Sequence, residues 1–369
     1  METIKNTKME IIRVGMIGCG GIANQKHMPS LAKIEGVEMT AFFDSDPQRA
    51  KEAAGKYGSG EATVYTDLDQ LLKDSSIEVV HICTPNKTHA KIAIAAMRAG
   101  KHVMCEKPMA ATAGEAWEMV RVSKETGKKL SISYQNRFRP DSEYLHRACE
   151  RGDLGEIYFA KAHALRRRAV PTWGIFLDQE AQGGGPLIDI GTHALDLTLW
   201  MMNNYRPNYA VGTTYHKFAD QTETGNAFGE WDPKKFTVED SAFGFVVMEN
   251  GATIILESSW ALNTLQTGEA RTTLCGTRAG ADMMDGLRIN GCEFNRLYIK
   301  KPQLEAGGVD FFDGEEDSPG EAEARAWIRC LREGTEPVVK PEEAAVVTEI
   351  LEGIYRSAES GQPYYFKKQ

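Results

Sequence analysis

Apolar positions along this chain follow two rhythms, and the change from one to the other divides it. Up to about residue 135, short β-branched runs alternate with stretches in which apolar residues return every three to four positions. The runs predict strands near 12–17, 37–43, 78–83, 102–105 and 130–133. The stretches between them predict helices at 21–33, 47–57, 67–73, 88–99 and 112–126. Asp46-Pro47 is a strong helix start, because aspartate caps free N–H groups and proline has none to lose. Strands joined through helices need crossover connections, so this half predicts a doubly wound parallel sheet.

A helix near 138–151 then leads into the alternating run Ile157 to Leu165. From residue 209 onward strands dominate, at 209–217, 238–248, 252–261, 270–276 and 286–290. Asn250-Gly251 is the strongest hairpin signal in the chain. The polar stretch Asp220 to Pro233 predicts a surface loop, and helices at 319–333 and 341–358 close the chain. The fold class is α/β. Residues 1–135 form the parallel-sheet domain, with 1–8 expected as a disordered lead. Residues 136–369 form an α+β domain on an open, largely antiparallel sheet. Helices on one face leave the other free, which predicts a homo-oligomer joined through it.

At 369 residues the chain exceeds the size at which one core keeps growing, in line with two domains. The net charge of −9 is spread along the chain, which argues against nucleic-acid and membrane partners. No apolar stretch is long enough to cross a bilayer, and Met1 to Arg13 lacks the apolar run of a secretory signal. The seven cysteines are scattered, without a C-x-x-C pair. That pattern fits a reducing, cytoplasmic compartment and predicts no metal site.

The chemistry begins at Gly18-x-Gly20-x-x-Ala23, which ends the first strand, with Asp44 closing the second. In a Rossmann domain this order of strand, glycine turn, helix, strand and acid holds a dinucleotide. The first glycine makes the turn, the second admits the pyrophosphate, and the acid accepts the ribose hydroxyls while repelling a 2′-phosphate. A glycine-rich turn in another doubly wound fold is the competing explanation. Thr84 and Asn86 follow the strand at 78–83, where loops face the ligand crevice; they either contact the ribose and nicotinamide portion or start the next helix. Lys107 ends the next strand, inside Glu106-Lys107-Pro108. Pro108 bars a helical conformation there, so the amine is either aimed into the crevice or solvated. A third motif, Gly183-Gly184-Gly185-Pro186-Leu187-Ile188-Asp189-Ile190-Gly191-Thr192-His193, places Asp189 and His193 one helical turn apart. The carboxylate can orient the imidazole for proton transfer; a plain ion pair or a metal pair are the alternatives.

With Thr84-Pro85-Asn86-x-x-His89 and Asn136-Arg137-Phe138, these motifs occur in an order that resembles the Gfo/Idh/MocA oxidoreductases over about residues 11–360. The resemblance implies hydride transfer between a nicotinamide and a secondary alcohol or ketone of a sugar, glycoside or cyclic polyol. Two further modes stay open: a tightly bound NAD(H) serving as an internal relay, and a nucleotide-binding regulator without turnover. The resemblance implies Lys107, Asp189 and His193 as the catalytic group. It implies Gly18, Gly20, Gly21, Ile22, Ala23, Asp44, Ser45, Thr84, Asn86, His89, Glu106, Lys107 and Gln135 as the cofactor lining. Asp44 favours NAD; Ser45 leaves NADP as the minor case. Arg137 and Trp173, with Lys107, Asp189 and His193, are implied as substrate contacts, although Trp173 is equally a packing anchor. Arg166, Arg167 and Arg168 form either a solvated strip or an anion contact.

Overall fold

The computed structural model describes residues 11–221, 223–304 and 317–367; the lead expected at 1–8 lies outside them. The first sheet has six parallel strands: β1 (Ile12–Ile17), β2 (Val37–Phe43), β3 (Thr63–Tyr65), β4 (Val79–Ile82), β5 (His102–Cys105) and β6 (Leu130–Ile132). Their order is β3-β2-β1-β4-β5-β6, so the direction of winding reverses between β1 and β4 and opens a crevice at the carboxyl ends. A π-helical turn, Ala23–His27, runs from the glycine loop into helix α1 (Met28–Ala32). It is followed by α2 (Pro47–Tyr57), α3 (Leu68–Lys73), α4 (His89–Arg98) and α5 (Ala113–Thr126). As the sequence indicates, the Asp46 side chain caps α2, accepting from the Gln48 N–H.

The second domain opens with α6 (Pro140–Glu150), β7 (Ile157–Leu165), the short α7 (Gln179–Gln182) and α8 (Thr192–Met202). Strands β8 (Pro207–Tyr215), β9 (Ser241–Met248), β10 (Thr253–Ser259), β11 (Gly268–Gly276), β12 (Ala279–Asp282), β13 (Arg288–Glu293) and β14 (Arg296–Lys300) follow. Helices α9 (Pro319–Glu333) and α10 (Pro341–Ser360) then lead to the two-residue β15 (Tyr364–Tyr365). Among the described residues nine strands form this sheet in the order β14-β13-β12-β11-β7-β10-β9-β8-β15, with β7 and β10 paired in parallel and the other neighbours antiparallel. At the β9–β10 hairpin, Gly251 takes φ +85° and its N–H closes a turn onto Met248 O at 2.9 Å.

Gly212 and Gly244 let α10 lie directly on this sheet, because a Cβ at either would run into Ile354. The opposite face carries Val211, Phe245 and Ile255 in register across β8, β9 and β10. A boundary near 135 does not separate the two cores. Ala324, Trp327, Ile328 and Cys330 of α9 bury against Val14, Met28 and Leu31 of the first domain. No helix among the described residues is long and apolar enough to cross a membrane.

Candidate active site

At the cofactor end, Gly18 takes φ +87°, and a Cβ there would sit 2.7 Å from the carbonyl of Cys83. Only glycine fits. Gly20 and Gly21 face open space instead, leaving room for a ligand to approach the backbone, and Ile22 is exposed beside them. Ala23 is buried under the loop. Asp44 braces this loop: its carboxylate accepts from the Cys19 N–H at 2.7 Å and the Asp46 N–H at 2.9 Å, with the Ser45 hydroxyl 3.5 Å away. Asn24 donates to the Cys19 and Gly20 carbonyls and holds the loop from the helix side. In the turn after β6 the buried Gln135 Oε1 has no partner among the described residues. An open glycine turn, an acid at the second strand and an unpaired acceptor together fit a dinucleotide.

Other expected cofactor contacts take structural work instead. His89 is fully buried, with its ring nitrogens 2.8 Å from the carbonyls of Pro108 and Thr84, so it braces the ends of β4 and β5 rather than lining the crevice. Glu106 is also buried. Its Oε1 accepts from Lys26 Nζ at 2.5 Å and lies 2.8 Å from His27 Nε2, while Oε2 accepts the Lys107 N–H at 3.0 Å. Burial opposes its ionisation, but Lys26 and His27 outweigh burial and hold the carboxyl well below the usual range. Glu106 therefore fixes the backbone of Lys107. Thr84 receives a hydrogen bond from Thr88 at 2.7 Å. Asn86 donates to Gln182 O at 3.0 Å, tying the first domain to α7 across the cleft.

The expectation for Arg137 is corrected. It is 1% exposed and forms a fork onto Asp196 at 2.6 and 3.0 Å. It also donates to Glu343 at 2.7 Å, and to Val338 O and Tyr205. All five of its N–H donors are engaged within the protein, so it pins α8 and α10 together and has no free donor to offer a substrate.

Lys107 does reach across the domains. Its Nζ donates to Asp189 Oδ1 at 3.0 Å and to the Asp189 main-chain oxygen at 2.8 Å. Asp189 lies in a π-helical turn, Leu187–Gly191, that leads into α8. Its other oxygen accepts the Trp260 indole N–H at 3.0 Å. Burial opposes the carboxylate, but Lys107 and Arg166 lower its pKa overall. The carboxylate thus positions the amine and not, as the i,i+4 spacing suggested, the imidazole. The buried His193 Nδ1 has no partner among the described residues, and Tyr134 stands edge-on to the ring at 6.1 Å. Burial, followed by the nearby Lys107 charge, pushes His193 down to about 3. A neutral imidazole beside a cationic amine can take a proton from an alcohol whose oxygen the amine holds.

Three supporting residues escape sequence reading: Trp260, Glu239 and Tyr355. Glu239 accepts the N–H groups of Gly185 and Leu187 at 2.8 and 3.2 Å and the Tyr355 hydroxyl at 2.7 Å. A Cβ on Gly184 would strike Tyr355, and one on Gly185 would strike Glu239, so this clamp explains the glycines. The one available signal was an acidic pair, Glu239-Asp240, heading an apolar strand.

Comparison with known proteins gives the same outline. Residues 12–134 match a family model described as "Oxidoreductase family, NAD-binding Rossmann fold", and residues 143–282 match a Gfo/Idh/MocA C-terminal domain. D-glucoside 3-dehydrogenase of Escherichia coli (strain K12) is 33% identical over 350 residues, covering 95% of this chain and 96% of that protein. An oxidoreductase domain protein from Kribbella flavida superposes with a TM-score of 0.84 at 21% identity, covering 98% and 100% of the two chains. Levoglucosan dehydrogenase, solved with NADH and levoglucosan, superposes with a TM-score of 0.79 at 21% identity, covering 96% and 99%.

Proposed function

The chain belongs to the Gfo/Idh/MocA oxidoreductases and carries their NAD-binding Rossmann domain, and from that premise we propose that it oxidises a secondary alcohol of a glycoside, foremost the 3-hydroxyl. Free sugars and inositol-like polyols form the wider substrate class. One observation carries the reading: Lys107 of the first domain meets Asp189 of the second at 3.0 Å, with His193 one turn further along the same helix.

The hydroxyl to be oxidised lies between His193 and Lys107. His193 accepts its proton, and Lys107 donates a hydrogen bond to the oxygen as negative charge develops there. Asp189, held by Trp260, keeps the Lys107 amine aimed. Bound NAD supplies the acceptor for the hydride that leaves the carbinol carbon. In the reverse direction His193 returns the proton to the carbonyl oxygen. The test is a panel of glycosides, aldoses, sugar acids and inositols, with NAD reduction followed by absorbance and the keto position read by NMR. Glycosides should lead the panel; inertness of every glycoside beside rapid inositol oxidation would move the substrate to cyclic polyols.

Two further results are expected. Because His193 is pushed down to about 3, it stays neutral above that value, and kcat/KM should remain flat on acidification through the ordinary histidine range near 6.5. An acid limb centred near 6.5 would contradict the lowering of the His193 pKa, and its persistence in His193→Ala would contradict the assignment of His193 as base. Asp44→Ala should weaken NAD binding by about 10-fold or more, the worth of a hydrogen bond to a charged group, and narrow the preference over NADP. Fluorescence titration with both cofactors measures this, and unchanged NAD affinity would remove Asp44 from the ribose site.

The open face of the second sheet supports assembly into a homo-oligomer. Val211 and Phe245, neighbours in register, are 39% and 43% exposed.

A further inference from the structure

Aromatic side chains beside the site extend beyond what the reaction uses. Trp260, whose indole holds Asp189, meets Phe176 edge-on with ring centroids 6.5 Å apart. Phe176 meets Trp173 at 5.8 Å, and Trp173 meets Phe228 at 4.8 Å. This file of rings starts at the carboxylate that holds Lys107 and ends in solvent. Trp260 is fully buried, whereas Trp173 is 52% exposed and Phe228 44%.

The outer rings come from two segments, one after β7 and one before β9, and hydrogen bonds stitch them together. Asn226 accepts from the Val170 N–H at 2.8 Å and donates to Val170 O at 3.0 Å. The Ala227 N–H donates to Arg168 O at 3.0 Å, and the Thr172 hydroxyl donates to Phe228 O at 2.6 Å. Backbone pinned in this way presents two large apolar rings to water, linked through Phe176 and Trp260 to the Asp189 carboxylate. Contiguous exposed apolar surface is what ligand-binding and partner sites use.

We propose that Trp173 and Phe228 form an aglycone subsite. The sugar ring occupies the cleft at Lys107, Asp189 and His193, and an aromatic or other flat apolar aglycone lies outward against these two rings. The inference rests on the glycoside reading above and adds the chemical class of the group on the anomeric oxygen. A flat apolar group gains both buried area and ring-to-ring contact there, whereas a methyl group reaches neither ring.

The test compares kcat/KM for phenyl glucoside and methyl glucoside, with NAD, in the natural protein, Trp173→Ala and Phe228→Ala. The natural protein should favour the phenyl glycoside by about 5- to 10-fold, residing in KM, and the ratio should fall toward one in both variants. Equal values in the natural protein, or a ratio that neither variant changes, would overturn the subsite while leaving the reaction standing. Calorimetric binding to the NADH-loaded protein separates the two readings when turnover is missing. Phenyl glucoside binding more tightly than methyl glucoside without oxidation would support the subsite and reject the reaction. A smaller assembly on gel filtration in either variant would make these rings a subunit contact and overturn the proposal.

Discussion

Replacing His193 by alanine should lower kcat by about 10²- to 10⁴-fold, the usual worth of a positioned general base. Lys107→Met should cost at least as much, because the oxygen then loses the charged donor that stabilises it in the transition state. NAD affinity should change little in His193→Ala, since the glycine loop, Asp44 and Gln135 are untouched. Among the described residues the ring nitrogen Nδ1 has no partner to lose, and Tyr134 stands edge-on to the ring. A fall in kcat with an intact melting curve and intact NAD titration is therefore the expected signature. Comparable activity in His193→Ala would leave Lys107 as the proton acceptor or dismiss the site.

Arg137→Met should destabilise the fold by about 3–5 kcal/mol, the cost of leaving buried partners of an ion pair uncompensated. Asp196 is 1% exposed, and the guanidinium is the group that lies against both its oxygens. Burial raises the Asp196 pKa, and Arg137 is the first influence opposing that rise. Without Arg137, Asp196 and Glu343 would face each other across a dry gap between α8 and α10. Urea unfolding should show a lower midpoint with an unchanged slope, and KM measured on the folded fraction should stay near that of the natural protein. A raised KM with unaltered unfolding would instead restore Arg137 as a substrate contact.

These two residues also show where sequence reading reached and where it stopped. Local rules served well. The glycine turn, the Asp46-Pro47 helix start and the Asn250-Gly251 hairpin each depend on a few adjacent residues, and each appears where those residues stand. Short strands were harder. Ala279–Asp282 is built of small residues with little strand preference and is held in the sheet by β11 and β13 on either side. Partner choice over long separations was not legible. Asp189 and His193 share a helical face, yet the Asp189 carboxylate turns to Lys107, 82 residues away, and to Trp260, 71 away. A charged amine arriving from another domain outcompetes a neutral imidazole one turn along. Arg137 likewise belongs to Asp196 and Glu343, which nothing in its neighbourhood along the chain announces. The residues proposed for catalysis could be singled out along the chain, but their hydrogen-bond wiring required the fold.

The central claim is that the two domains bring an amine and an imidazole to one carbinol, whose C–H is then passed as hydride to NAD. Methyl glucoside deuterated at carbon 3 tests it most directly, with the reduced nicotinamide analysed by mass spectrometry. The account predicts that the label leaves the sugar, appears in NADH in equal amount to the keto product, and slows turnover. Label retained in the sugar while NADH forms, or NADH formed without deuterium, would contradict it.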